Sequence, residues 1–327
     1  VCLSTNHHPA PDIIIVVMAA SLTVVAAARG LARAVAAAGV ARGVAPTAVA
    51  GWRAMSGAAG KKEGLVTYKA EGGVGIITLN APAKLNALTA AMGDELGVLL
   101  AGGIDYDQVG ALVVTGAGKA FSAGGDFDFL NARAADTGMR NSVIMRGFYQ
   151  RFLRIREAPV PVIAAINGPA IGAGLCFAMG ADMRIASKTA KLGITFVGLG
   201  LHPGMGATYF LPRLVGPQLA ARMCLTGEVV TGEQAADMGL VLQAVEEAEV
   251  LPTAVALAAK VAAQAPVAVR SCVRSLRMAA DEGLDRALWR EADAQSYCYA
   301  GADLKEGVAA VAGKRKAVWR QHEHYRV

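Results

Sequence analysis

The sequence predicts an α/β fold with parallel strand pairing, followed by a helical C-terminal region. Three observations carry this. Apolar strand-like runs alternate with helix-spaced segments from Gly64 to Gly216. Two of the strands, ALVVTG at 111–116 and PVPVIAAI at 159–166, run into glycine-rich bends, KAFSAGGDF at 119–127 and NGPAIGAGLCFAMGAD at 167–182. From 217 to 320 the pattern is nearly all helical. A strand, a glycine turn and a helix start in succession aim backbone N–H groups at one point. Two such donors converging from separate bends make an oxyanion hole, which stabilises negative charge growing on a carbonyl oxygen.

Composition narrows the function classes. The 327 residues suffice for one large domain or two small ones, and 54% apolar against 18% charged content excludes a disordered chain. Cysteines at 2, 176, 224, 272 and 298 are odd in number and widely spaced, with no CxxC pair. That spacing points to reduced thiols and to no structural zinc or other metal site. Of the net charge of +6, four arginines and one aspartate before Ser56 supply +3. With no basic stripe interleaved with aromatics, nucleic acid is not an expected partner.

Taken in order, residues 1–60 differ from the rest. From Ile13 to Lys62 there is no acidic residue, while Arg29, Arg33, Arg42 and Arg53 are spread through alanine and valine. That is the make-up of a mitochondrial presequence, with cleavage expected just before Ser56 and the matrix as destination. The competing reading is a membrane anchor, because Ile13 to Ala28 is a sixteen-residue run without charge, slightly short of the roughly 17–25 residues of a spanning helix.

The folded part starts near Gly64. LVTYKAEGGVGIITLN alternates about Gly72-Gly73 and predicts a hairpin. A proline turn follows, then Leu88, Met92, Leu96 and Leu99 at helical spacing. After the two bends, ADMRIAS and KLGITFVG predict further strands, and PQLAARMCLTG, GEQAADMGL and four longer amphipathic runs predict helices. So much helix has more apolar faces than one small sheet covers, which predicts packing against another subunit.

Six segments in order, LNAPAKLNAL, KAFSAGGDF, INGPAIGAGLCFAMGADMRIAS, GLHPGMGATYFLPRLVG, LTGEVVTGEQAADMGLV and KEGVAAVAGKRKAVW, resemble the crotonase (enoyl-CoA hydratase/isomerase) superfamily over about residues 64–320. The resemblance implies a crotonase-like spiral of ββα units at 61–255, a helical trimerisation region at 256–327, and a homotrimer or dimer of trimers. It implies an acyl-CoA ligand, with coenzyme A as part of the substrate and no separate cofactor.

Carried over position by position, the resemblance puts the oxyanion amides on Ala123 and Ala173, within the bends that hold Gly124, Gly125, Asp126, Gly172 and Gly174. It lays Lys84, Ala87 and Leu88 against the adenine end of coenzyme A and offers Lys314 and Lys316 to its phosphates. It also marks a departure. Hydratases of the family use two glutamates, and at those positions this chain has Cys176 and Phe196. Paired carboxylates suit water addition because burial tunes their pKa values apart, and neither replacement does that work.

Other groups are candidates for proton transfer. His202 is the only histidine between Ser56 and Gln321, although a histidine before a proline turn also suits a plain loop role. Asp126 reads as a helix cap, and Asp128 beside it as a candidate acid. Tyr149 and Tyr209 are phenols that sequence spacing does not place. Two functions stay open: an enzyme that stabilises a thioester enolate, favouring isomerisation or another enolate reaction over hydration, and a catalytically silent accessory subunit of a mitochondrial assembly.

Overall fold

Gly72 and Gly73 both adopt positive φ, 58° and 81°, and so close a two-residue turn that matches the natural twist of a hairpin. The computed structural model describes residues 64–134 and 136–279, and in the C-terminal segment 306, 309, 310, 313 and 315–318. Residues 1–60, where a presequence is expected, and Lys314 lie outside the described residues. The hairpin joins β1 (Val66–Glu71) to β2 (Val74–Leu79), antiparallel. Thr89 then caps α1 (Ala90–Val98), its Oγ1 accepting the Met92 N–H at 3.2 Å.

Strand β3 (Ala111–Gly116) lies parallel to β2, and β4 (Val162–Ile166) lies parallel to β3. Between them run α2 (Phe127–Ala134) and α3 (Gly138–Leu153). After β4 come β5 (Ala170–Ile171), α4 (Ala173–Met179), β6 (Met183–Ser187) and β7 (Lys191–Gly193). Next are α5 (Ala207–Val215), α6 (Pro217–Thr226), β8 (Val229–Thr231), α7 (Gly232–Asp237) and β9 (Gln243–Val245). Helices α8 (Val250–Ala262) and α9 (Pro266–Ala279) complete the described elements. The main sheet runs β1-β2-β3-β4-β6-β9, parallel beyond the hairpin, and β5-β7-β8 form a second, smaller sheet.

The period of two along each strand sends side chains to opposite faces. Val74, Ala111, Val113, Ile163, Ala165 and Ile185 form one buried face, covered by Val250, Ala254 and Ala258 of α8 at helical spacing. Ile77, Leu79, Leu112, Val114, Val162 and Ala164 form the other, packed against Met92, Leu96, Phe152 and Phe177. With both faces covered, the central strands read as continuous apolar runs.

Three expectations are corrected. KLGITFVG is not one strand: β7 ends at Gly193, and Thr195–Leu199 form a 3-10 turn closed by Gly200 at φ 71°. The segment after Gly216, expected to be nearly all helical, also holds two short strands, β8 and β9, and β9 pairs with β6. The division drawn at 255/256 falls inside α8, which packs on the main sheet and so belongs with the core.

Arg277 fastens α9 to this core. Its guanidinium donates to both Asp182 carboxylate oxygens, at 2.8 and 2.6 Å, and to the carbonyls of Arg156, Ala158 and Val160. Asp182 also accepts the Val162 N–H at 2.7 Å, so one ion pair ties α9 to the start of β4. Its side chains are only 11% and 17% exposed, so removing one partner strands the other in a poorly solvated place. Arg277→Ala is therefore expected to cost about 3–5 kcal/mol, read as a lowered urea midpoint, whereas a surface ion-pair deletion such as Arg222→Ala changes it little.

Candidate functional site

The site begins with the loop before α1. Leu85 and Asn86 both take left-handed backbone, φ 49° and 53°, a conformation asparagine tolerates better than most residues. Asn86 is fully buried, and its side chain is saturated. Its Oδ1 accepts the Ala81 N–H at 2.9 Å, and its Nδ2 donates to the Ala117 and Ala120 carbonyls at 2.9 and 2.8 Å. The left-handed pair, Leu85 exposed and Asn86 buried, thereby presents two backbone carbonyls to the first glycine bend. Ser122 Oγ donates to Asn86 O at 2.8 Å, and the Ala123 N–H donates to Leu85 O at 2.9 Å. The Gly124 N–H turns back on Ser122 Oγ at 3.2 Å, while Gly124 O accepts from the Leu88 N–H at 2.7 Å.

This bookkeeping of amides corrects one expectation. Ala123 N–H is committed to Leu85 and is not the donor at the site. Of the successive amides at 123, 124 and 125, only that of Gly125 has no acceptor among the described residues.

The second bend docks directly on the first. The Ser122 N–H donates to Pro169 O, and the Ile171 N–H to Ser122 O, both at 3.0 Å. Gly124 has φ 95°, and a Cβ there would stand 2.5 Å from Ile171 O and 3.4 Å from Ala173 N. A Cβ on Gly174 would stand 2.8 Å from Ser122 Cβ. Glycine is thus required on each side for the backbones to meet. The Gly172 N–H is taken by Gly193 O at 2.8 Å, and the α4 ladder starts with Cys176 N–H to Gly172 O at 3.1 Å. Ala173 is the first residue of α4, and its N–H has no acceptor within the helix.

Gly125 and Ala173 border the same cavity, of about 380 Å³. Its walls are apolar: Phe129 and Leu130 of α2, Met145 and Phe148 of α3, Ile171, and Phe196, Leu199 and Leu201 beyond β7. The aromatics continue inward as a stack. Phe129 and Phe148 lie 4.7 Å apart between centroids, Phe148 and Phe152 5.3 Å, and Phe152 and Phe177 of α4 5.8 Å. Such pairs each contribute about 0.5–1.5 kcal/mol beyond burial, so the cavity wall is anchored to the helix that carries Ala173. Tyr149 is the one titratable side chain among the lining residues, and burial pushes its phenol above the ordinary 10.0.

The other expected residues are dispersed. Cys176 is completely buried and points its Sγ at Gly204 O, 3.4 Å away; burial pushes its thiol far up, so it stays neutral. Phe196 does line the cavity. His202 is exposed, with Nδ1 donating to Pro203 O at 2.7 Å, and is not among the lining residues. Asp126 caps α2, accepting the Asp128 and Phe129 N–H groups at 3.0 and 3.3 Å. Lys84 bridges to it at 3.2 Å and holds its carboxyl below the usual carboxylate range. Asp128 is 90% exposed at the surface. Ala87 and Leu88 are buried in the core, Lys84 is largely exposed, and Lys316 is exposed. Tyr209 stacks under Arg213 away from the cavity lining.

The cavity wall on α3 did have a sequence signal. Met145, Phe148, Tyr149 and Phe152 fall at helical spacing, which marks one face of that helix.

Comparison with known proteins gives the family. The family model for enoyl-CoA hydratase/isomerase matches residues 69–322. A short-chain-enoyl-CoA hydratase of Clostridium acetobutylicum is 36% identical over 253 residues, covering 77% of this chain and 95% of that protein. A 1,2-epoxyphenylacetyl-CoA isomerase of Escherichia coli is 35% identical over 246 residues, covering 75% and 94%. Among solved structures, an enoyl-CoA hydratase from Bacillus anthracis superposes with a TM-score of 0.72 at 31% identity, covering 79% of this chain and all of that one. The chain belongs to the enoyl-CoA hydratase/isomerase family, has the crotonase fold with its C-terminal helices, and is similar to enzymes of acyl-CoA chemistry.

The contact between the bends is testable. Gly124→Ala combines positive φ with a clash against Ile171 O, so it is expected to cost about 2 kcal/mol or more. The checks are thermal unfolding and acyl-CoA affinity, which fall together in this variant.

Proposed function

We propose that this family member processes an acyl-CoA thioester by stabilising its enolate, in an isomerisation or another enolate reaction and not in hydration. The observation that carries the reading is the pair of amides at Gly125 and Ala173. Each comes from a different bend, neither has a protein acceptor among the described residues, and both border one apolar cavity. Set between them, a thioester oxygen gains charge where two fixed dipoles already point and where water is sparse. No reorganisation is required as the enolate forms.

The preference against hydration rests on side chains. The resemblance puts the two hydratase glutamates at Cys176 and Phe196. The first is a buried, neutral thiol and the second a hydrocarbon ring. A relative that carries the name of an isomerase supports a non-hydrating reaction. Lys84 and Lys316, exposed cations, are the candidates to meet the coenzyme A phosphates, with Lys314 beside the latter. The arginine-bearing, acid-free segment from Ile13 to Lys62 supports delivery to the mitochondrial matrix. Leu276 and Met278 of α9, exposed in the single chain, suit burial in a homotrimer or dimer of trimers.

A second reading has one observation in its favour: no carboxylate or imidazole lines the cavity among the described residues. In that reading the fold binds a thioester without turnover, as an accessory subunit of a larger mitochondrial complex. Ala173→Pro separates the two. Proline is tolerated at the first position of a helix yet has no N–H, so the variant deletes one donor and keeps α4. Turnover of a panel of enoyl- and malonyl-type thioesters is expected to drop by about 10²–10³, with acyl-CoA affinity nearly kept. Wild-type protein that binds acyl-CoA and turns over none of the panel decides for the accessory role.

A further inference from the structure

Tyr149 is the remaining group at the cavity with chemistry of its own. It sits in the middle of α3, on the face that also supplies Met145 and Phe148 to the wall. Its hydroxyl lies close over the backbone of Gly204, where any Cβ would collide with Tyr149 Oη. Gly204 O is also the acceptor of Cys176 Sγ, so the phenol stands beside the position where the resemblance puts the first hydratase glutamate. The glycine at 204 is what leaves room for it.

The hydroxyl is also uncommitted. Tyr106, another half-buried tyrosine, donates to Leu100 O at 3.3 Å, whereas Tyr149 Oη has no hydrogen-bond partner among the described residues. A phenol with a spare proton at the edge of a cavity can donate to whatever enters. Burial and the neighbouring Cys176 thiol keep it protonated well past neutral pH, so it is an acid and not a base.

That asymmetry selects among enolate reactions. Those that begin by removing a carbon-bound proton need a base, and no lining side chain among the described residues is one at neutral pH. Loss of CO₂ from a malonyl-type thioester needs none. The bond from the α-carbon to the carboxylate breaks, its electron pair becomes the enolate, and CO₂ leaves. The negative charge would move from a carboxylate in an apolar cavity to an oxygen between two amide donors, which favours the reaction in that direction.

We infer that Tyr149 is the acid that protonates this enolate, and that the cavity serves a malonyl-type acyl-CoA which forms its enolate by decarboxylation. The O–H bond of Tyr149 breaks, the proton forms the new C–H bond at the α-carbon, and the tyrosinate regains a proton from water. The inference rests on the enolate site proposed above.

The test uses the full chain with malonyl-CoA and methylmalonyl-CoA, following CO₂ release and product in D₂O. Wild-type protein is expected to release CO₂ and to place deuterium on one face of the α-carbon of the propionyl product. Tyr149→Phe, which removes only a hydroxyl without a hydrogen-bond partner among the described residues, keeps its melting temperature, loses about 10²-fold or more in kcat, and gives deuterium on both faces. Wild-type kcat is expected to stay level from about pH 7 to about pH 9 and to fall only as the phenol ionises. Absence of CO₂ release by the wild type overturns the inference, as does a Tyr149→Phe variant that matches wild type in rate and stereochemistry. Ala173→Pro tells the two readings apart: if it abolishes turnover while Tyr149→Phe does not, the amide pair stands and the role of Tyr149 falls.

Discussion

The buried amide of Asn86 is the constraint on which the site depends. Its three hydrogen bonds hold a loop in backbone that most residues avoid, and that loop in turn presents the carbonyls of Leu85 and Asn86 to the first bend. A left-handed pair costs of order 1–3 kcal/mol per residue when unsupported; here the saturated amide offsets it. The result is that the amides of Ala123 and Gly124 are committed within the protein, and that of Gly125 is left without an acceptor among the described residues. In a cavity this apolar, an extra unpaired amide would be a liability, and a missing one would remove the proposed charge stabilisation.

Charge stabilisation and shape are divided between different parts of the chain. The donors are backbone, fixed by close approach at Gly124 and Gly174, where side chains cannot fit. The walls are side chains, chiefly aromatic, stacked from Phe129 at the cavity to Phe177 beneath α4. Backbone donors do not depend on which side chains surround them. In the proposed function the acid/base positions, which the resemblance puts at Cys176 and Phe196, can therefore lack carboxylates while the oxygen site is kept. What changes in that reading is the route of the proton, and with it the class of reaction.

Much of this was legible in the sequence, for physical reasons that also mark where legibility ends. β3 and β4 announced themselves because both their faces are buried, and α8 because Val250, Ala254 and Ala258 share one face. The bends were visible as glycine runs. Which amide each bend leaves open was not, because that is decided by a partner distant in sequence: Leu85 O takes the Ala123 N–H, and the opening falls two residues later at Gly125. His202 drew attention by its chemistry, yet its ring is exposed and its Nδ1 proton goes to Pro203 O. Tyr149 carried only the helical spacing it shares with Met145, Phe148 and Phe152; the packing of α3 over Gly204 shows where its hydroxyl stands.

One feature of the hairpin bears on how molecules of this protein meet. β1 is an outer strand of the main sheet, and the end nearest the turn exposes Lys69, Ala70 and Glu71. An outer strand carries unpaired backbone groups that invite a neighbour, and alternating charges there make it energetically awkward for a foreign strand to lie alongside. Ribbon-like growth of the sheet from copy to copy is thereby discouraged at this border.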